Sequence, residues 1–318
     1  MLIPTLRVTE TVIAFALVIV LVVLLKRKKV VSESDLPSLS ALMTKAILPA
    51  VIFLQLSMNP IRGEQLVLVM IMFLAGLASM VITWIVGKLM RLRRDTLGML
   101  IISSTFGSSA LIGYPLIEFA FPGNSHAMTD AILISELGVG LPIFTLCPLV
   151  ASYYGNARHG VQAILDTLTA YLKSPIFISV VAGLTLSQFP SVVKFSFLDP
   201  FWQALRMIDG TLTVLASLIL GLQLKFKSFR RILPLFIVSA IIQIGIQPML
   251  AVAGADLMNV ALLDKQVLIL ISAMPSAVLG TVFASQYQCD SETASELVFL
   301  NILASLAGIP IVYYSLFH

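Results

Sequence analysis

The chain has 318 residues, of which 58% are hydrophobic and only 11% charged, and its mean hydropathy is +1.01. Soluble domains carry about 25% charged residues, so this composition excludes a soluble globular protein and requires lipid around most of the surface. A net charge of +4 and a pI near 9.1 do not indicate nucleic acid, because the basic residues sit in short clusters between long apolar runs rather than in one stripe.

A membrane span needs roughly 20 mostly apolar residues, and ten segments meet or approach that length. Segment 1 covers 8–25 and is followed by Lys26-Arg27-Lys28-Lys29 rather than a small-residue cleavage site, so it is expected to remain as a helix. Segment 2, 36–57, carries Lys45 and Gln55; segment 3 is 64–88. Segment 4, 96–121, contains Ser103-Ser104-Thr105-Phe106-Gly107-Ser108-Ser109 and then Gly113, Pro115 and Glu118. Segment 5, 127–152, encloses Glu136.

The stretch 153–173 spaces Val161, Ile164, Leu165 and Leu168 at helical intervals, which predicts a short interfacial helix. Segment 6 is 174–189, and segment 7, 200–224, holds Arg206 and Asp209. Segment 8 is 231–254. Segment 9, 265–288, contains Ser272-Ala273-Met274-Pro275-Ser276-Ala277 and Gly280, and segment 10, 293–316, contains Asn301.

The basic residues test the count. Loops joining segments 1–2, 3–4, 5–6 and 7–8 hold Lys26 to Lys29; Lys88, Arg91, Arg93 and Arg94; Arg158 and Lys173; and Lys225, Lys227, Arg230 and Arg231. The opposite side has only Arg7, Arg62, Lys194 and Lys265. Positive charge marks the cytoplasmic side, so both termini are expected outside, in the inner (cytoplasmic) membrane. Five segments precede the 153–173 linker and five follow it. An odd number makes the second half enter inverted. The expected fold is therefore an all-α polytopic membrane protein of ten transmembrane helices, with five-helix repeats at 1–152 and 174–318.

Segments 4 and 9 occupy corresponding positions, and both concentrate Gly, Pro and hydroxyl residues near mid-membrane. Proline deletes a backbone donor and clashes with the carbonyl four residues back. Groups freed in hydrocarbon survive only against protein or a watery cavity. Such unwound backbone, with half-helix N-termini beside it, suits an anionic solute. Gly and Pro also serve plain packing in membrane helices, but two breaks at matching positions favour a site.

These features, in order, resemble the auxin efflux carrier family, including its bacterial permease branch. Leu48-Pro49-Ala50-Val51-Ile52-Phe53, Gly113 with Pro115, Gly221-Leu222-Gln223-Leu224, Ala273-Met274-Pro275-Ser276-Ala277 and Phe283-Ala284-Ser285-Gln286-Tyr287 carry the likeness. The family's asparagine in segment 4 falls on Ser108, and its second crossing proline on Gly280. The resemblance implies crossed broken helices 4 and 9, an elevator motion of a transport domain against a scaffold, and small organic anions as substrates.

Substrate-binding candidates are thus Ser108, Ser109, Gly113, Pro115, Pro275, Ser276, Gly280, Lys45, Gln55 and Asn301. Intramembrane charges default to function, which makes Glu118, Glu136, Arg206 and Asp209 coupling or charge candidates, with Glu118 and Glu136 able to carry a coupling H+ or Na+. Arg206 and Asp209 at i, i+3 also suit simple mutual neutralisation, and Lys45 and Arg206 suit snorkelling to the surface. Gln243, Gln247, Gln55 and Asn301 suit tying helices together.

A sodium-coupled carrier of bile-acid-transporter type is the alternative, with Ser103, Ser104, Thr105, Ser108 and Ser109 as oxygen donors. A membrane-embedded enzyme is remote: His126, His159 and His318 lie in loops or at the end, and neither HExxH nor a Walker A lysine occurs. No metal or cofactor is expected, Cys147 and Cys289 read as free thiols, and a homodimer is compatible with the plan.

Overall fold

The computed structural model describes residues 2–59, 62–155, 161–223 and 232–317. The basic residues Arg158, Lys225, Lys227, Arg230 and Arg231 used above for orientation lie outside them. Among the described residues every regular element is a helix. Seven helices among the described residues are long and apolar enough to cross a membrane: Arg7–Arg27, Glu33–Met58, Gly63–Leu89, Ser125–Tyr154, Ser196–Leu222, Leu233–Leu257 and Glu292–Leu316. An eighth forms if Leu165–Leu172 and Pro175–Leu186, bent by 51°, count as one. Segments 4 and 9 do not run through. Segment 4 is Arg94–Thr105 followed by Ser109–Ala120, and segment 9 is Leu262–Ser272 followed by Leu279–Gln286.

Segment 1 shows how the apolar composition is used. Val8, Val12, Ile19 and Val22 form a buried stripe, while Ile13, Leu17, Leu21 and Leu24 remain 48–65% exposed on another face. Both stripes are hydrophobic, so the outer one suits lipid rather than water. Lys26 closes the helix by donating to the Leu222 carbonyl at 2.9 Å and pairing with Glu33 at 3.0 Å, a cation at the helix C-terminus.

Among the described residues four helices widen into a π-helical turn, and each turn is followed at the same distance by a proline. Met43–Ile47 precedes Pro49, Ser109–Gly113 precedes Pro115, Ile134–Gly140 precedes Pro142, and Ile241–Ile246 precedes Pro248. A proline ring collides with the carbonyl four residues back and offers it no donor. One extra residue in the preceding turn moves that carbonyl aside, which is why the helices widen there instead of breaking.

The segments pack in two groups. Segment 6 lies along segment 2, and segment 7 packs on segments 1 and 2. Gly183 permits the first contact, since a Cβ there would sit 2.9 Å from Leu56 Cβ. Trp202 of segment 7 stacks on Phe53 of segment 2, ring centroids 6.0 Å apart, and donates to the Val193 carbonyl at 3.1 Å. Segments 3, 4, 5, 8, 9 and 10 pack mainly on one another, and segment 1 meets the second half of segment 4 and segment 10. The expected linker helix is Val161–Leu172, and its Tyr171 stacks on Phe144 of segment 5 at 4.3 Å.

Candidate functional site

The two helix breaks meet. Ser108 N donates to the Pro275 carbonyl at 2.7 Å and Ala277 N donates to the Phe106 carbonyl at 2.7 Å, an antiparallel bridge centred on Gly107 and Ser276. The approach needs a glycine: a Cβ on Gly107 would stand 3.0 Å from the Met274 carbonyl oxygen and 3.2 Å from Met274 Cβ. Packing on either side is reciprocal. A Cβ on Gly113, in the second half of segment 4, would meet Ile271 in the first half of segment 9. One on Gly280, in the second half of segment 9, would meet Ile102 in the first half of segment 4.

A helix that stops in mid-course leaves its last carbonyls without internal partners, and here side chains from segments 8 and 9 supply them, held in turn by segment 10. The Ser103 carbonyl accepts from Ser276 Oγ at 2.5 Å and from Ser239 Oγ at 3.4 Å. The Thr105 carbonyl accepts from Gln247 Nε2 at 3.3 Å. Asn301 Nδ2 donates to Ser276 Oγ at 2.6 Å and to Ser239 Oγ at 2.8 Å, and Gln243 Oε1 is a further acceptor for Ser276 Oγ at 2.9 Å.

This network leaves spare valences: Gln243 Nε2, Gln247 Oε1, Asn301 Oδ1, Ser104 Oγ and Thr105 Oγ1 are buried with no partner among the described residues. Thr105, Phe106 and Gln247 border a void of about 10 Å³, the smallest that holds a water.

Of the predicted residues, Ser108, Ser109, Gly113, Pro115, Pro275, Ser276, Gly280 and Asn301 all lie at or beside the crossing. Lys45 does not: it is exposed on the π-helical turn of segment 2, as is Arg206 on segment 7. No ion pair joins Arg206 to Asp209 among the described residues. Gln55 Nε2 instead donates to Asp209 Oδ2 at 3.5 Å, and Glu118 of segment 4 faces Asp209 and Thr213. Gln55, Glu118 and Asp209 thus form a second polar group, where the second half of segment 4 meets segments 2 and 7.

Glu136 is buried near the crossing. Its Oε1 accepts from the Tyr114 hydroxyl at 2.6 Å, its own carbonyl accepts from the Tyr171 hydroxyl at 3.1 Å, and Ser135 Oγ lies 2.6 Å from Ser109 Oγ. Tyr114, Ser135, Tyr171 and Ser239 were not singled out by sequence. Tyr114 stands directly before Pro115 and could have been marked by that adjacency; the other three carry no local signal.

Many apolar helices, two of them broken in mid-course and hydrogen-bonded to each other at the breaks, define a multi-pass membrane protein built around unwound backbone. Comparison with known proteins agrees: the family model described as "Membrane transport protein" matches residues 7–159 and 161–313. The chain belongs to this family, the auxin efflux carrier family of transporters. It is 26% identical to an uncharacterized transporter of Methanocaldococcus jannaschii over 87% of this chain and 88% of that one. It is 24% identical to an uncharacterized transporter of Methanothermobacter thermautotrophicus over 95% and 96% of the two chains.

Proposed function

We propose that the protein is a secondary carrier of small organic anions, mono- or dicarboxylates, that binds its solute where segments 4 and 9 cross. The observation that carries this reading is the bridge between Gly107 and Ser276 with its reciprocal hydrogen bonds. Half-helices beginning at Ser109 and Leu279 aim amide ends at the crossing, where an anion is favoured. The unpaired amide of Gln243 and the hydroxyls of Ser104 and Thr105 offer neutral donors without a fixed cation, which suits a ligand that must also leave.

Counting the two broken segments with the seven continuous helices and the bent pair gives ten crossings. The repeats are 1–152 and 174–318, joined by 153–173 and inverted in the membrane. Phe106, Gly107 and Ser108 stand to Pro275, Ser276 and Ala277 as position i to i+169, which supports that symmetry. Segments 1, 2, 6 and 7 are the scaffold, against which the remaining six move as an elevator. The positive loops favour the inner membrane with both termini outside.

The test is uptake of labelled malonate, malate and indole-3-acetate into proteoliposomes, with and without an imposed voltage. Saturable uptake of at least one is expected, and indifference to every probe under every gradient would sink the reading. A sodium-coupled reading has the buried oxygens Gln247 Oε1 and Asn301 Oδ1 in its favour; equal uptake in sodium and choline media dismisses it.

A further inference from the structure

Glu136 sits in the π-helical turn Ile134–Gly140 of segment 5, 5% exposed. An ionised carboxylate removed from water is costly unless a cation or several donors meet it. The titratable groups that face it are two phenols, Tyr114 from segment 4 and Tyr171 from the linker helix. Segment 3 and the first half of segment 9 also pack on this turn, but their ionisable residues lie at the ends: Glu64 and Lys88, Asp264 and Lys265. No group of three or more His, Cys, Asp or Glu side chains surrounds Glu136 among the described residues, Oε1 is already taken by Tyr114 at 2.6 Å, and the gap at Gly140 brings only the Tyr171 hydroxyl and the Ser135 carbonyl near Oε2. A sodium ion would need several more oxygens than this. The cation that fits is a proton.

A route leads to it. Tyr171 lines a cavity of about 480 Å³ together with Phe144, Asp166, Thr167, Ser174 and Gln286. Its ring is held by the stack on Phe144, and its hydroxyl points inward to the Glu136 carbonyl. A Cβ on Gly140 would lie 3.0 Å from the Tyr171 hydroxyl oxygen and 3.4 Å from Glu136 Oε2, so that hydroxyl and the second carboxyl oxygen border one gap that glycine keeps open.

From this geometry we infer that Glu136 is a proton-binding site, filled from the cavity beneath the linker helix through Tyr171. Once the Tyr171 hydroxyl has turned from the Glu136 carbonyl toward Oε2 across that gap, hydronium in the cavity gives a proton to the Tyr171 oxygen as the phenol passes its own to Oε2. One O–H bond breaks at hydronium and one forms at the carboxyl; water remains and Tyr171 ends unchanged. The charge on Glu136 is then cancelled, and its bond from Tyr114 loses charge assistance. Tyr114 follows the π-helical turn that opens the second half of segment 4, and Ser135 holds Ser109 at the start of that turn, so the proton changes how firmly segment 5 grips the half-helix at the crossing. The coupling role rests on the carrier reading; the proton site does not.

Infrared difference spectra of the purified protein in lipid, taken across a pH titration, test the site without any solute. A carboxyl C=O band that appears on acidification is expected in the wild type, lost in Glu136→Gln and shifted in Tyr114→Phe. After a pH jump, Tyr171→Phe should slow that band on the order of tenfold or more at unchanged amplitude. A band retained in Glu136→Gln, or equal rates in Tyr171→Phe, overturns the inference. Should Glu136→Gln not fold, an unshifted band in Tyr114→Phe overturns it equally.

In proteoliposomes an imposed pH gradient should drive accumulation of a transported probe in the wild type and not in Glu136→Gln. Accumulation in both refutes the coupling. Wild-type counterflow missing for malonate, malate and indole-3-acetate alike would refute the carrier reading, with the infrared result still deciding the proton site.

Discussion

Ser276 carries more of the crossing than its size suggests. One hydroxyl serves the Ser103 carbonyl, has Gln243 Oε1 within reach and accepts from Asn301, so removing it takes a partner from three buried groups: Ser103 and Asn301 keep Ser239, and Gln243 Oε1 keeps none among the described residues. Each unsatisfied buried polar group costs about 1–3 kcal/mol. Ser305 is the matched control: it is equally buried on segment 10 and its hydroxyl bonds only the Ile302 carbonyl of its own helix. Ser276→Ala should therefore melt earlier in detergent than Ser305→Ala, followed by intrinsic fluorescence or thiol-reactive dye. Equal midpoints would mean that the network at the break is not what holds the two half-helices together.

At the scale of the element, Pro275 lies in the break of segment 9, and Pro115 shapes the half-helix that follows the break of segment 4. Pro115 follows the widened turn Ser109–Gly113, and replacing it with alanine restores a donor and favours regular helix by about 3 kcal/mol. Pro115→Ala should insert and accumulate normally yet transport at least about tenfold more slowly, since 1.4 kcal/mol in a barrier is already tenfold. Pro310, inside the long helix of segment 10 and away from any break, should tolerate alanine with little change in flux. Flux per inserted molecule in proteoliposomes separates the two.

The breaks themselves were legible from sequence, because Gly, Pro and hydroxyl residues cluster in the middle of an apolar run at matching positions in both halves, which plain packing does not require. What surrounds them was not. Glu136 could be marked as a buried charge, but Tyr114 and Tyr171 reach it from 22 and 35 residues away. The i, i+3 pairing of Arg206 with Asp209 is a local rule, and it loses to Gln55, 154 residues distant. Lys45 was marked because charge is costly in lipid, yet a segment apolar on every side gives no periodicity to tell an inward face from an outward one.

At the scale of the whole molecule, the elevator reading requires that the group formed by segments 1, 2, 6 and 7 stay rigid while the other six slide past it. Two contacts distinguish this from local gating. Leu56 and Gly183 meet within the first group, where a Cβ on Gly183 would lie 2.9 Å from Leu56 Cβ, a little closer than a disulfide prefers. Val12 of segment 1 and Ile309 of segment 10 line one small apolar cavity across the boundary between the groups. Joining Leu56→Cys to Gly183→Cys by oxidation should leave flux near that of the reduced form, because nothing there moves. Joining Val12→Cys to Ile309→Cys with a short bismaleimide should abolish it, because the two sides must part by several ångströms in every cycle. The native Cys147 and Cys289 are both buried and serve as internal controls for reagent access. If the second crosslink leaves transport intact, the moving boundary does not run between segments 1 and 10, and the solute must be passed by motions confined to the crossing.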